Sequence, residues 1–453
     1  MSATVIAHPA ARAETAADKH PPGLYVLFLT EMWERFSFYT VGGMWVLYVQ
    51  NAEQGFGWTR DHATSLWSTY LMFVYASPLI GGLIADRKLG YRRAVTLGGL
   101  FFMAGHALLA VRSVPVMYAA LACLVIGNGF FKPNVSAMVG NLYPEGSRLK
   151  DRAYNIFYMG INVGAFLAPL VAEFMVQKFG FHPAFFVGAI GMVLSVSILW
   201  RFRRHVLHAD RKRTTAGTLP AGAAAAAVTE DAPPPGVSHQ GQAIDAISDS
   251  RRVGALIVIF LIVIVFWMVF HQNQITLTYW ANDNTDWNVT GIISNSINPG
   301  WVLLLTFPLV WFWQWLDRRG KEPSTPTKMA IGMCLTGLSF FIMYFAGKAG
   351  GDVGKVSPWW LIGAYGVLTL GELMLSPMGL SLVSKVAPIR LRGVMMGGWF
   401  VATAIGNKLT AIGVFWDDWA HSTFFAVLGS CALVMAVVLT LLLKPLKRAM
   451  PGV

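Results

Sequence analysis

Apolar segments of about 20 residues, each long enough to cross a hydrocarbon core, recur along almost the whole chain. Polar and charged residues are concentrated in the shorter stretches between them. Residues 1–20 lack the apolar core of a signal peptide, so we expect them to form a polar cytoplasmic tail. The pattern predicts twelve membrane-spanning helices, at residues 24–50, 64–85, 93–112, 116–140, 153–177, 183–203, 253–280, 291–316, 328–347, 358–386, 393–416 and 421–443.

One long polar stretch divides these predicted helices into two sets of six. Residues 205–250 are rich in Ala, Gly and Pro and have no apolar stripe, which predicts a flexible cytoplasmic linker. Two six-helix bundles that face each other across a central cavity are typical of transporters. The predicted order is a tail (1–20), an N-terminal bundle (21–204), the linker (205–250), a C-terminal bundle (251–445) and a second cytoplasmic tail (446–453).

Composition and charge agree with a multi-pass protein of the inner (plasma) membrane with both termini in the cytoplasm. Hydrophobic residues make up 55% of the 453 residues and charged residues only 13%, which excludes an ordinary soluble protein. With this orientation, 27 of the 35 Lys and Arg residues lie in inner loops and tails, 5 in outer loops and 3 in spans. The net charge of +12 therefore reflects membrane orientation, and we expect no binding of nucleic acid.

A few ionisable residues remain deep within the predicted spans, where a charge costs about 2.5 to 3.5 kcal/mol at a helix centre. Such residues usually face a partner or a watery path. Glu31 and Arg35 are four residues apart, so a helix places them on one face with Glu34 beside them. This trio is either an ion cluster that ties the first helix to a neighbour or a site at which a proton competes with a salt bridge. The full set is Glu31, Glu34, Arg35, Lys132, His271, Glu372 and Lys408.

Six motifs occur in one order along the chain: EMWERFSFY, GGLIADRKLGYRRAV, GNGFFKPN, YNIFYMGINVGAF, GELMLSPMGLSLVSKVAP and MMGGWFVATAIGN. The first resembles the ExxERFxYY signature of the proton-dependent oligopeptide transporter family, and the others resemble further motifs of that family. The resemblance covers both bundles. It implies an all-α membrane protein with the major facilitator fold, in which a proton gradient drives the uptake of di- and tripeptides.

The resemblance also implies roles for individual residues. Glu31, Glu34 and Arg35 match the proton-coupling cluster. Arg35 and Lys132 would hold the peptide carboxylate and Glu372 its ammonium, and Lys132 and Glu372 could pair when the cavity is empty. The remaining matches are two amides that would bond the peptide backbone, Asn162 and Asn298, and an aromatic lining of Tyr39, Tyr75, Tyr158, Trp267 and Trp399.

The sequence departs from the family at three positions. Phe38 replaces a Tyr of the signature, Gly42 stands where many members have a second Arg, and His271 stands where those members have an acidic residue. The last two changes remove both partners of an outer salt bridge, so another contact must close that side. His271 is interpreted as a packing residue, a hydrogen-bonding pocket residue or a second proton-coupling site. Because nitrate-transporting plant relatives also use a His here, a small anion such as nitrate is the alternative substrate.

Other functional classes fit the sequence less well. The charges form one asymmetric set, whereas a channel needs repeated pore-lining elements or rings of charge. The chain has no HExxH, no nucleophile elbow and no Cys and His spacing of a metal site, so we expect no enzyme activity, metal or cofactor. We expect a functional monomer in the lipid bilayer, with protons and di- or tripeptides as its ligands.

Overall fold

The computed structural model describes residues 19–144, 148–210 and 247–450, and helix dominates all three ranges. The predicted all-α architecture of twelve spans is confirmed for this part of the chain. In chain order, spans 1 to 12 contain the helices Pro22–Gln50, Arg60–Ile84, Tyr91–Leu109, Val114–Asn141, Arg148–Phe179, Phe181–Arg201, Asp249–Phe270 with Thr276–Asp283, Ile297–Asp317, Thr325–Ala349, Pro358–Val386, Arg392–Leu409 and His421–Ala449.

The spans form two bundles that meet along a few helices. Spans 1 to 6 pack on one another, most closely as the pairs 3 with 4 and 1 with 5, and spans 9, 10 and 12 pack together in the second bundle. Span 2 contacts span 11, and span 5 contacts span 8, across the boundary between the bundles. Nine helical segments of the described residues are each long and apolar enough to cross a membrane.

Close helix contacts bring the polar residues of the first bundle together. Gly81 of span 2 lies directly against Gly129 of span 4, and a Cβ atom at Gly81 would overlap the Gly129 carbonyl group. Gly164 of span 5 lies equally close to the backbone of Met32 in span 1. Small residues allow such backbone approach in membranes, where apolar burial between helices supplies little driving force. Span 1, which carries the charged trio, is thereby held firmly inside its bundle.

The prediction of one continuous helix at 253–280 is wrong, because span 7 is broken in its C-terminal part. Its α-helix ends at Phe270, a 3-10 turn follows at His271–Gln274, and a second helix runs from Thr276 to Asp283. The hydroxyl groups of Tyr365 and Thr278 donate hydrogen bonds to the Asn273 carbonyl, at 3.2 and 3.0 Å. A helix can be interrupted inside a membrane when neighbouring groups satisfy the released backbone in this way.

The edges of the predicted linker and tail also differ from expectation. Residues 205–210 are ordered, with Val206 and Ala209 buried and the carboxylate of Asp210 bonded to Arg92 at the start of span 3. Most of the predicted linker, residues 211–246, lies outside the described residues, as do residues 1–18 of the predicted N-terminal tail. The last helix continues to Ala449, beyond the predicted start of the C-terminal tail.

We predict that Gly81→Ala destabilises the protein. The added methyl group would overlap the Gly129 backbone, so spans 2 and 4 must move apart, and overpacking of this kind costs about 1 to 3 kcal/mol. The measurement is the thermal unfolding midpoint of the purified protein in detergent. Gly363→Ala in span 10 is the matched control, because a Cβ atom there meets no other heavy atom within 4 Å. Equal midpoints for the two variants would contradict this packing account.

Candidate functional site

A charged cluster lies inside the first bundle. The guanidinium of Arg35 donates to both carboxylate oxygens of Glu34, at 2.5 and 2.6 Å, and its Nε lies 3.5 Å from a carboxylate oxygen of Glu31. All three side chains are at most 1% exposed. Two carboxylates therefore share one guanidinium in a region that water does not reach. A change in the charge of either carboxylate would alter how tightly Arg35 is held.

Two neighbours fix the guanidinium of this cluster. Asn128 of span 4 accepts a 3.4 Å hydrogen bond from Arg35 and anchors its own amide on the carbonyl of Val74, at 2.8 Å. The ring of Phe38 lies 4.8 Å from the guanidinium carbon, in a cation–π arrangement that needs no hydroxyl group. Asn128 was not among the predicted site residues, although it lies inside the motif GNGFFKPN. The aromatic face explains how Phe38 can occupy a position that the family signature assigns to Tyr.

A second group of predicted residues crosses the boundary between the bundles. The hydroxyl of Tyr75 in span 2 lies 3.3 Å from Nε2 of His271, at the break in span 7. The His271 ring stacks on Trp267 with centroids 5.0 Å apart, and the ammonium of Lys132 lies 5.7 Å from the Tyr75 ring centroid. All four side chains are buried. His271 therefore lies where the two bundles meet, and Tyr75 neighbours both His271 and the buried cation Lys132.

A third group holds the predicted carboxylate of the second bundle. The side-chain amide of Asn298 donates to Glu372 at 2.7 Å and to the Thr369 hydroxyl at 2.9 Å. Thr369 in turn donates to the Tyr365 carbonyl, also at 2.7 Å. Glu372 is only 3% exposed, so its orientation depends on these neighbours. Two predicted residues, Asn298 and Glu372, are thus brought into direct contact.

The other predicted residues take part in local packing. The amide of Asn162 donates to the Tyr158 carbonyl one turn earlier in span 5, at 3.1 Å, and both side chains are buried. Tyr39 packs edge-on against its neighbour Phe38, with ring centroids 5.3 Å apart. Trp399 is fully buried between Phe260 of span 7 and Gly379 of span 10, inside the second bundle. Their roles in substrate binding stay predictions.

Comparison with known proteins agrees with this arrangement of spans and groups. The model of the Major Facilitator Superfamily matches residues 27–407. An uncharacterized transporter of Bacillus subtilis, YclF, is 32% identical over 96% of each chain. A di-/tripeptide transporter of Lactococcus lactis subsp. cremoris is also 32% identical, over 96% of this chain and 97% of that protein. The crystal structure of a peptide transporter POT in complex with alafosfalin superposes with a TM-score of 0.83, at 32% identity over 96% of both chains.

This chain belongs to the POT family of the major facilitator superfamily. It is thus an integral membrane protein whose relatives are transporters, as the motifs and the hydrophobic pattern predicted. The family assignment covers both bundles, because the matched relatives extend over nearly the whole chain.

The two bundles of this POT-family protein are joined at the face that contains the loops 51–59, 284–290 and 417–420, which we call the outer face. Arg60, at the start of span 2, bonds Asp283 at the end of span 7 and Asp417 after span 11, at 2.5 and 2.9 Å. Thr64, one turn further along span 2, lies 3.1 Å from the Tyr279 hydroxyl. A Cβ atom at Gly42 would lie 3.4 Å from the side chain of Gln274, so a neutral amide occupies the space opposite this glycine.

Two further side chains, Glu173 and Lys408, make contacts between the bundles. Of these, Glu173 was missed by sequence reasoning. The buried carboxylate of Glu173 in span 5 accepts hydrogen bonds from the Thr290 backbone and hydroxyl, at 2.7 and 2.5 Å. Glu173 lies within a predicted span, so its charge was a usable signal. The ammonium of Lys408 donates to the Thr69 hydroxyl at 2.7 Å, so this lysine links span 11 to span 2.

We predict that Arg60→Gln shifts the protein toward states in which the outer face is open. Partly exposed ion pairs contribute about 0 to 1 kcal/mol each, so the loss of two changes the ratio of open to closed forms by up to roughly 30-fold. The measurement is the labelling rate of Thr64→Cys, in a background without native cysteines, by a membrane-impermeant maleimide added outside. Faster labelling is expected.

Lys348→Gln is the matched control for this prediction. It removes the ion pair in which the Lys348 ammonium lies 3.7 Å from a carboxylate oxygen of Asp352. This pair lies at the same face but within one bundle. The control should leave labelling of Thr64→Cys unchanged. If Arg60→Gln also left it unchanged, Arg60 would not hold the bundles together.

Proposed function

We propose that this protein is a proton-coupled symporter that imports di- and tripeptides by alternating access. The observation that carries the proposal is the distribution of buried charge. Glu372 of the second bundle is oriented by Asn298 at 2.7 Å, while the cations Arg35 and Lys132 belong to the first bundle. A zwitterionic peptide requires an anion for its ammonium and a cation for its carboxylate. The named function of the Lactococcus relative, a di-/tripeptide transporter, supports the same substrate class.

The buried carboxylate favours a peptide over nitrate, the alternative substrate. A small anion gains nothing from a carboxylate that two neighbouring groups hold in place, and it would be repelled by the negative charge. His271 is the feature that nitrate would use, because protonation makes imidazole cationic. We propose instead that His271 is a second protonatable group, since it stacks on Trp267 and lies within hydrogen-bond reach of Tyr75.

We base proton coupling on the two carboxylates that share one guanidinium in the buried cluster. When Glu34 is ionised, it holds both the Nε and a terminal nitrogen of Arg35. Protonation would weaken this pair and free the guanidinium for the peptide carboxylate. The proton and the peptide would then bind together, as symport requires. We assign the coupling role to Glu31, Glu34 and Arg35, with the protein acting as a monomer in the inner membrane, both termini cytoplasmic, without a cofactor or enzymatic activity.

The test of this proposal is peptide accumulation by the purified protein in liposomes. The parent should accumulate labelled Ala-Ala only when the proton gradient is imposed. Glu31→Gln and Glu34→Gln should each abolish accumulation while leaving peptide exchange partly intact, because exchange moves no net protons. Full accumulation by both variants would refute the coupling role. Accumulation of nitrate and not of peptide by the parent would replace the proposed substrate.

We further predict that Lys132→Ala and Glu372→Ala each strongly reduce peptide uptake through opposite ends of the substrate. Loss of a charge-assisted contact costs about 1.5 to 3 kcal/mol, which is a loss of roughly 10-fold to 100-fold in affinity. The measurement is competition by Ala-Ala and by its analogues blocked at one terminus. A carboxyl-blocked peptide should lose little further affinity in Lys132→Ala, and an amino-blocked peptide little further in Glu372→Ala. Equal losses for free and blocked peptides would show that neither residue recognises a terminus.

A further inference from the structure

A cavity of about 430 Å³ lies at the outer face, beside the contacts that join the bundles. Spans 1, 2 and 5 contribute its wall on one side and span 7 contributes the other. We call this cavity the outer vestibule; its lining includes Gln50, Arg60, Val176, Gln177, Asn282 and Asp283. The coupling cluster lies elsewhere, fully buried within the first bundle.

Charged groups of both signs meet at the outer vestibule: Arg60 and Asp283 belong to its lining, and Asp417, outside the lining, contacts Arg60. Arg60 is shared between Asp283 and Asp417, and the amide of Asn282 donates to Asp283 at 2.8 Å. Gln50 accepts from Arg60 at 3.3 Å. One guanidinium thus serves two carboxylates. A ligand with a carboxylate and an ammonium can exchange with one of these pairs, because its carboxylate takes the place of an aspartate at Arg60 and its ammonium pairs with the displaced aspartate.

The ion pairs of the vestibule are accessible and therefore exchangeable. The side chains of Arg60, Asp283 and Asp417 are 29%, 32% and 57% exposed, whereas that of Arg35 in the coupling cluster is 1% exposed. Exposed pairs are weak because water competes for both partners. Charged termini of a solute can compete for the same side chains in the same way.

Apolar residues complete the match to a short peptide. Leu47, Val176 and Phe181 line the vestibule beside the charged and amide groups. Pockets for small ligands combine apolar walls with a few polar groups that set orientation. Walls of this kind accept different side chains, while the charges recognise the two termini that all unmodified peptides share.

We propose that the outer vestibule is a second binding site for zwitterionic short peptides and that its occupancy opens the outer face. The peptide carboxylate binds Arg60 in place of an aspartate, and the released aspartate binds the peptide ammonium. Since the replaced contacts join the two bundles, binding removes a restraint on their separation. The inference rests on the proposed peptide transport, but it concerns a site that is separate from the buried groups.

Occupancy can be measured by protection of a cysteine from labelling. Gln177→Cys places the thiol in the vestibule lining, and the neighbouring Lys178→Cys is the matched control, because the Lys178 ammonium lies over the Phe174 ring, 4.8 Å from its centroid. Both are made without native cysteines and with Glu372→Ala, which weakens the central site. Ala-Ala should slow the labelling of Gln177→Cys, but not of Lys178→Cys, by an impermeant maleimide. Ala-Ala blocked at both termini should give no protection.

Protection by the blocked peptide, or its absence with Ala-Ala, would overturn the inference. Protection that disappears when Glu372→Ala is introduced would also overturn it, because the effect would then arise from the central site. These readings do not depend on transport. A parent that accumulates no peptide would refute the proposed function instead, whatever the labelling shows.

Filling the vestibule gives a second, kinetic test. Val176→Phe adds an aromatic ring to the lining, and Leu167→Phe is the control, because Leu167 lies on the same span, is 41% exposed and is not part of the lining. Val176→Phe should raise the KM of uptake from the outer side at least threefold. The part of peptide binding to purified protein that is lost with Glu372→Ala should stay unchanged. An unchanged KM, or an equal loss of uptake and binding, would contradict a separate outer site.

Discussion

The structure depends on the need to balance ionised groups that water cannot reach. Arg35, Glu34 and Glu31 are at most 1% exposed, and removing one partner from such a group typically costs 3 to 5 kcal/mol, on the order of a third of the stability of a whole domain. The helices around the cluster are therefore positioned closely: glycines allow backbone contact between spans 1 and 5, and Asn128 of span 4 supplies an additional acceptor. The two carboxylates share one guanidinium, so the contacts of Arg35 depend on the charge of both.

A different balance governs the outer face. Arg60, Asp283 and Asp417 remain partly exposed, so each pair contributes little free energy, yet together they join two bundles whose relative motion is the basis of alternating access. Weak contacts suit this place, because a closure worth many kcal/mol would hold the protein in one state. Strong pairs lie inside a bundle that moves as a unit, and weak pairs lie at the boundary that must separate and re-form.

The fold and much of the candidate site could be predicted because both depend on patterns that are visible in a single sequence. Apolar segments gave twelve spans, and buried charges stood out against them, so Glu34, Arg35, Lys132 and Glu372 were selected. The break in span 7 was missed although the polar residues 271–274 interrupt the apolar run at that point, because one of the hydroxyl groups that stabilise the break comes from Tyr365, far away in sequence. The closure by Arg60 was missed because charges in loops carry no signal of burial.

The departures from the family become coherent once the break in span 7 is considered. The helix changes to a 3-10 turn at His271–Gln274. The first residue of this turn, His271, reaches Tyr75, whereas the last, Gln274, lies opposite Gly42. The two ends of the turn therefore meet different parts of the first bundle. The amide of Gln274 can occupy that space because Gly42 has no side chain. A neutral contact stands where the family can use an ion pair, and the ionic connection between the bundles lies further out, at Arg60. There the pair meets solvent, and a solute that approaches from outside meets it before any buried group.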